Sequence, residues 1–120
     1  MSAIKTLLNY NIQIKIIHWS TDSYSEHKAT GKLYDSLNDL IDKFTEIYIG
    51  NYGKKLINEI DTLSFNNPTK IKSIQLMDSF EKFLINELPN YIKEDHTSLL
   101  NIRDEMLAEV QKTKYLLSLS

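Results

Sequence analysis

The sequence predicts an all-α fold, an antiparallel bundle of four main helices. Three observations carry that prediction. Apolar residues recur at helical spacing along nearly the whole chain, no stretch shows strand-like alternation, and only three glycines and two prolines interrupt 120 residues. The chain is expected to form a single domain over residues 1–120, long enough to bury one core and too short for two.

The elements follow in order. Ile4, Leu7, Leu8, Ile14, Ile17 and His18 share a stripe, predicting a first helix over residues 3–19. Ser23 and Glu26 have the Ser-x-x-Glu spacing of a capping box and start a second helix. Its stripe is Leu33, Leu37, Leu40, Ile41, Phe44 and Tyr48, and Gly50 is the expected stop. Leu56, Ile60 and Leu63 support a short extra segment over Lys54 to Leu63. "NNPT" (Asn66 to Thr69) is a break, with Pro68 suited to the first turn of the next helix. That helix carries Ile71, Ile74, Met77, Phe80, Leu84 and Leu88 as far as Pro89, which must kink or end it. Asp95 is the expected cap of the last helix, whose apolar face is Leu99, Ile102, Met106, Val110 and Leu117.

Composition narrows the function classes. With no cysteine, the chain has no disulfide scaffold, thiolate zinc site or cysteine nucleophile, which suits a reducing, cytoplasmic setting. Apolar runs reach two or three residues, as in "IYI" (Ile47 to Ile49), so no membrane span is expected. The N-terminus reads as mature structure and not as a signal peptide. Fourteen Lys and Arg against sixteen Asp and Glu give a net charge of −2, with no basic tail. DNA binding draws on clustered cations that release counterions, so it is not expected here.

"HWSTDSYSEH" (His18 to His27) holds two of the three histidines and the only tryptophan around a short polar turn. Asp42 and Glu46, four apart on the second helix, share one face. Core residues flank them, so that face is expected to border the interior, where a carboxylate is ion-paired or binds a metal. Imidazole and carboxylate together suit iron, manganese or zinc. Geometry adds a condition. His27 and Asp42 are fifteen residues apart on one helix, about 22 Å, and metal–ligand bonds of about 2 Å cannot span that. A site using both halves must be assembled across subunits. A two-fold dimer with antiparallel second helices would bring each histidine pair to its partner's carboxylates.

"HW" (His18, Trp19), His27, "LY" (Leu33, Tyr34), Asp42 and Glu46 resemble the Dps miniferritins of the ferritin-like superfamily. In that family a His-Trp pair ends the first helix, a second His opens the next, and an Asp-x-x-x-Glu pair follows fifteen residues on. The resemblance is best over residues 10–50 and looser over Glu94 to Leu119. It implies a ferritin-like four-helix bundle and an iron site between two-fold-related subunits, with His18, His27, Asp42 and Glu46 as metal ligands. It further implies Fe(II) oxidation by peroxide or oxygen, and storage of iron in a dodecameric shell. Trp19, an aromatic beside a redox iron, would absorb stray oxidising equivalents. Two features depart from the pattern. The family's third acidic ligand, four residues after the second histidine, is Gly31 here, and the connection between the histidines is shorter. Asp22, Glu26 and Asp35 are the acids that could substitute for it.

Blander readings stand beside these. A core-facing histidine is usually structural, Trp19 alone reads as packing, and His96 beside Asp95 reads as cap decoration. Tyr10, Tyr48, Tyr52 and the other tyrosines read as core and interface surface. The functional alternative to an iron oxidoreductase is a ferritin-like structural or interaction protein with a weakened site, which Gly31 favours.

Overall fold

The computed structural model describes residues 2–60, 62–63 and 72–119. Among them every regular element is helical: α1 (Ala3–Ser20), α2 (Tyr24–Tyr52), α3 (Lys55–Asn58), α4 (Ser73–Lys82) and α5 (Thr97–Ser118). A π turn (Phe83–Glu87) and a 3-10 turn (Leu88–Tyr91) continue α4. The Asn66 to Thr69 break, Pro68 and Ile71 lie outside the described residues.

α2 is the spine. Its 29 residues make about 44 Å of helix, matching the 42 Å long axis of the molecule. α1 packs on α2, α2 on α5, α5 on α4, and α4 back on α1, so four helices surround one core. Each contributes fully buried side chains: Leu7 and Ile14 from α1, Leu37 and Phe44 from α2, Met77 and Phe80 from α4, Leu99 and Met106 from α5. Tyr10 stacks flat on Phe80 with ring centroids 4.4 Å apart, and its hydroxyl hydrogen-bonds Ser79 at 2.6 Å. Lys114 of α5 bridges two acids of α4, Asp78 at 2.7 Å and Glu81 at 3.4 Å.

Several boundaries differ from the sequence reading. α2 runs through Gly50 and stops at Gly53, whose φ of 82° supplies the left-handed cap. Ser23 caps α2 as expected, accepting from the Glu26 N–H at 3.3 Å. The reciprocal half of the capping box is absent. The Ser23 N–H donates to Thr21 Oγ1, and the Glu26 carboxylate accepts from Ser73 Oγ of α4 at 2.5 Å. The extra segment shortens to one helical turn, Lys55–Asn58. Ile74 is exposed, and Leu76 and Phe83 join the α4 core face. Pro89 acts at a distance: the helix widens into the π turn, where the Leu88 N–H reaches Phe83 O, and Pro89 then enters the tighter 3-10 turn. The Leu84 carbonyl inside the π turn accepts from Arg103 Nη1 at 3.0 Å. His96, not Asp95, occupies the cap position of α5 and makes no side-chain cap bond. No helix among the described residues is long and apolar enough to cross a membrane.

Candidate metal centre

The histidines meet because α1 ends and α2 begins within three residues of each other. The last carbonyls of a helix have no partner inside it. The His18 carbonyl, in the last turn of α1, accepts instead from His27 Nδ1 at 2.7 Å. The exchange is mutual, since His18 Nδ1 bonds the His27 carbonyl at 2.5 Å. The rings stack with centroids 3.9 Å apart and planes 14° from parallel. A carbonyl oxygen only accepts, so each Nδ1 carries the hydrogen, and in the neutral ring Nε2 keeps the lone pair. Metal-binding histidines are oriented in this way, with one ring nitrogen held by a backbone carbonyl and the other left for the metal.

Gly31 belongs to this corner. A Cβ at position 31 would stand 2.6 Å from His18 Cε1 and 3.0 Å from His18 Nδ1. The resemblance implies an acidic ligand at this position, which a glycine cannot supply. Its visible role is steric: the His18 ring occupies the space a side chain would need. Of the substitute acids, Glu26 is engaged by Ser73, and Asp22 is exposed and lines a separate ≈590 Å³ cavity under the turn with Glu26 and Ser73. Trp19 is 70% exposed. The Lys15 ammonium lies 5.3 Å from the Trp19 ring centroid and 4.5 Å from that of Tyr34. A cation over an aromatic face is attracted to its electrons and makes one harder to remove.

The carboxylates differ from expectation. Asp42 and Glu46 are exposed and do not border the core. Each is two residues from Phe44, which is fully buried; two residues turn a helix by about 200°, so both acids point away from the face that Phe44 buries. Neither has a hydrogen bond or ion pair to another described residue. Because α2 is unbroken from Tyr24 to Tyr52, they stand far along the same rod from His27. Among the described residues, no three His, Asp or Glu side chains of one chain come together in a way that could hold a metal ion.

One contact escaped sequence reasoning altogether. The Tyr52 hydroxyl and His96 Nδ1 are 2.5 Å apart, across a sequence separation of 44 that leaves no local signal.

Comparison with known proteins adds kinship. A protein of Enterobacteria phage T4, described as an uncharacterized 14.6 kDa protein in the mobD-ri intergenic region, is 33% identical over 102 residues. That alignment covers 85% of this chain and 74% of the phage protein. No solved structure matches the chain. A family model matches residues 18–117, from His18 to near the end of α5. The chain therefore belongs to DUF5856, a family of unknown function.

Proposed function

We propose that the protein binds Fe(II) at sites shared between two copies of the chain and oxidises it with peroxide or oxygen, within a ferritin-like four-helix arrangement. His18 and His27 of one copy and Asp42 and Glu46 of the other are the ligands. The observation that carries this reading is the mutual Nδ1–carbonyl hydrogen bonding of the two histidines, which leaves both Nε2 atoms for a metal. The carboxylates support it by being exposed and unpaired among the described residues. Antiparallel pairing of two α2 helices would also set exposed Lys28 and Lys32 of one against the acidic end of the other.

In this reading Fe(II) is substrate. The imidazoles and carboxylates hold it, the anionic oxygens favour the ferric product, and each iron gives one electron to the oxidant at a position the protein leaves open. Zinc or manganese suits the same donors and would compete. Closure of dimers into a dodecameric shell would store the product. Trp19 is read as a wall of the pairing surface, since the Lys15 ammonium disfavours electron loss from its ring.

Anaerobic titration with Fe(II), followed by stopped-flow mixing with peroxide, tests the proposal. Binding and a ferric absorbance that both weaken in His18→Ala and in Asp42→Asn are the expected results. Absence of both from the wild-type protein would remove it. A ferritin-like structural protein is then the better reading, since the histidines already cap one another without a metal.

A further inference from the structure

At the opposite end of α2 from the histidine corner lies a second imidazole in a different setting. The Tyr52 hydroxyl accepts from the Lys93 backbone N–H at 2.9 Å. Its own hydrogen is thereby free to point at His96 Nδ1, 2.5 Å away. The Tyr52 ring also packs 4.5 Å, centroid to centroid, from Tyr48 and 5.1 Å, edge-on, from His96, and Tyr48 in turn lies 6.0 Å from Phe44. Aromatic contact thus runs from the core to a phenol bonded to a base.

We propose that Tyr52 is the redox-active tyrosine of this protein, giving up an electron to a one-electron oxidant while His96 takes its proton. The phenol O–H bond breaks and the His96 Nδ1 lone pair forms the new N–H bond. The products are a neutral tyrosyl radical, an imidazolium and the oxidant reduced by one electron. A phenol that loses an electron becomes a very strong acid, so a base already hydrogen-bonded to it removes the main obstacle to oxidation.

Six other tyrosine and tryptophan side chains are less suited. Tyr48 is buried, has no hydrogen bond to another described residue, and its phenol is pushed above its usual range by burial and then by Tyr52 and Tyr91. With no proton acceptor hydrogen-bonded to it among the described residues, it would pass an electron vacancy to Tyr52. Trp19 and Tyr34 face the Lys15 ammonium. Among the described residues the Tyr10 hydroxyl hydrogen-bonds Ser79, which is not a base. Tyr24 and Tyr115 are exposed to water but have no described imidazole as hydrogen-bond acceptor. No residue of this pair belongs to the proposed metal site, so the two readings stand or fall separately.

The test treats the full chain, with chelator and without metal, with hexachloroiridate(IV) in the presence of a nitroso spin trap, and locates the adduct by peptide mass spectrometry. The adduct is expected on Tyr52 and lost in Tyr52→Phe. His96→Gln is the discriminating variant, because its amide oxygen still accepts the phenol hydrogen bond but cannot take up the proton. Loss of the Tyr52 adduct with an unchanged melting temperature is expected there. Adducts spread over exposed Trp19, Tyr24 and Tyr115 in the wild type, or a Tyr52 adduct undiminished in His96→Gln, would overturn the proposal. Should Tyr52→Phe fail to fold, the wild type and His96→Gln decide it.

Discussion

The two ends of the outer face of α2 are organised in opposite ways. At the amino end His27 is held twice over: its ring by the His18 carbonyl and the His18 ring, its own carbonyl by the ring of His18. At the carboxyl end Asp42 and Glu46 stand in solvent with no bond to another described residue. One half of the proposed site is preorganised by its own chain, whereas the other depends on what is brought to it. Their separation along one unbroken helix is why the four residues make no site within one subunit. The contrast also says where substitutions should act through structure and where through charge alone.

The largest effect is expected where both ends depend on the same rod. Phe44 is fully buried, so Phe44→Ala should cost about 3–5 kcal/mol. Denaturant unfolding checks this, and both half-sites should degrade together. Next is the amino end alone. Gly31→Ala places a methyl group against the His18 ring, so the ring must leave its hydrogen bond. Fe(II) affinity should fall about 10–100-fold, the usual cost of losing a ligand's supporting contacts. The helix itself should gain up to about 1 kcal/mol from replacing glycine. A binding loss without a loss of melting temperature would separate the steric role from a folding defect. The carboxyl end should behave differently again. Asp42→Asn with Glu46→Gln should change stability by no more than about 0.5 kcal/mol, since neither acid is paired with another described residue, while abolishing Fe(II) oxidation in the stopped-flow assay.

The smallest effect lies at high pH, beyond both half-sites. Burial raises the Tyr48 phenol above its ordinary 10.0, and the hydrogen bond to Asp78 raises Lys114 above 10.5. In both cases the unfolded chain loses its proton first. The stabilisation is complete below the unfolded value and is lost as pH rises through the folded one. Melting temperature should therefore decline from about pH 10 upward, and Tyr48→Phe should make that decline shallower.

The helical stripes were legible because burial repeats every three or four residues: Leu33, Leu37, Ile41, Phe44 and Tyr48 are all buried as read. Ser23 was legible because a cap is a local hydrogen bond. Helix stops were not. Gly50 and Gly53 look alike in sequence, and only the latter adopts positive φ. Asp95 looks a better cap than His96, yet His96 takes the position while its ring bonds Tyr52 from another helix. At the site, residue identities and spacing were readable but the contacts were not. Hydrogen bonds from rings to carbonyls leave no trace in residue type, and a glycine that makes room for a ring reads as an absent ligand. The exposure of Asp42 and Glu46 was misjudged because flanking Ile41 and Phe44 suggested an interior edge, whereas two residues from a buried position is nearly the opposite face.

The central claim, that the two unlike ends of α2 complete one another across a two-fold axis, has a direct test. A His18→Ala/His27→Ala chain and an Asp42→Asn/Glu46→Gln chain are each assayed alone for Fe(II) oxidation, then mixed, allowed to exchange subunits and assayed again. Every mixed dimer holds one site with all four ligands and one with none. Random exchange of equal amounts makes half the dimers mixed, so two inactive proteins should recover about a quarter of the wild-type activity. If the exchanged mixture stays as inactive as its parents, although the wild type oxidises Fe(II) and mixed dimers are shown to form, the shared site does not exist.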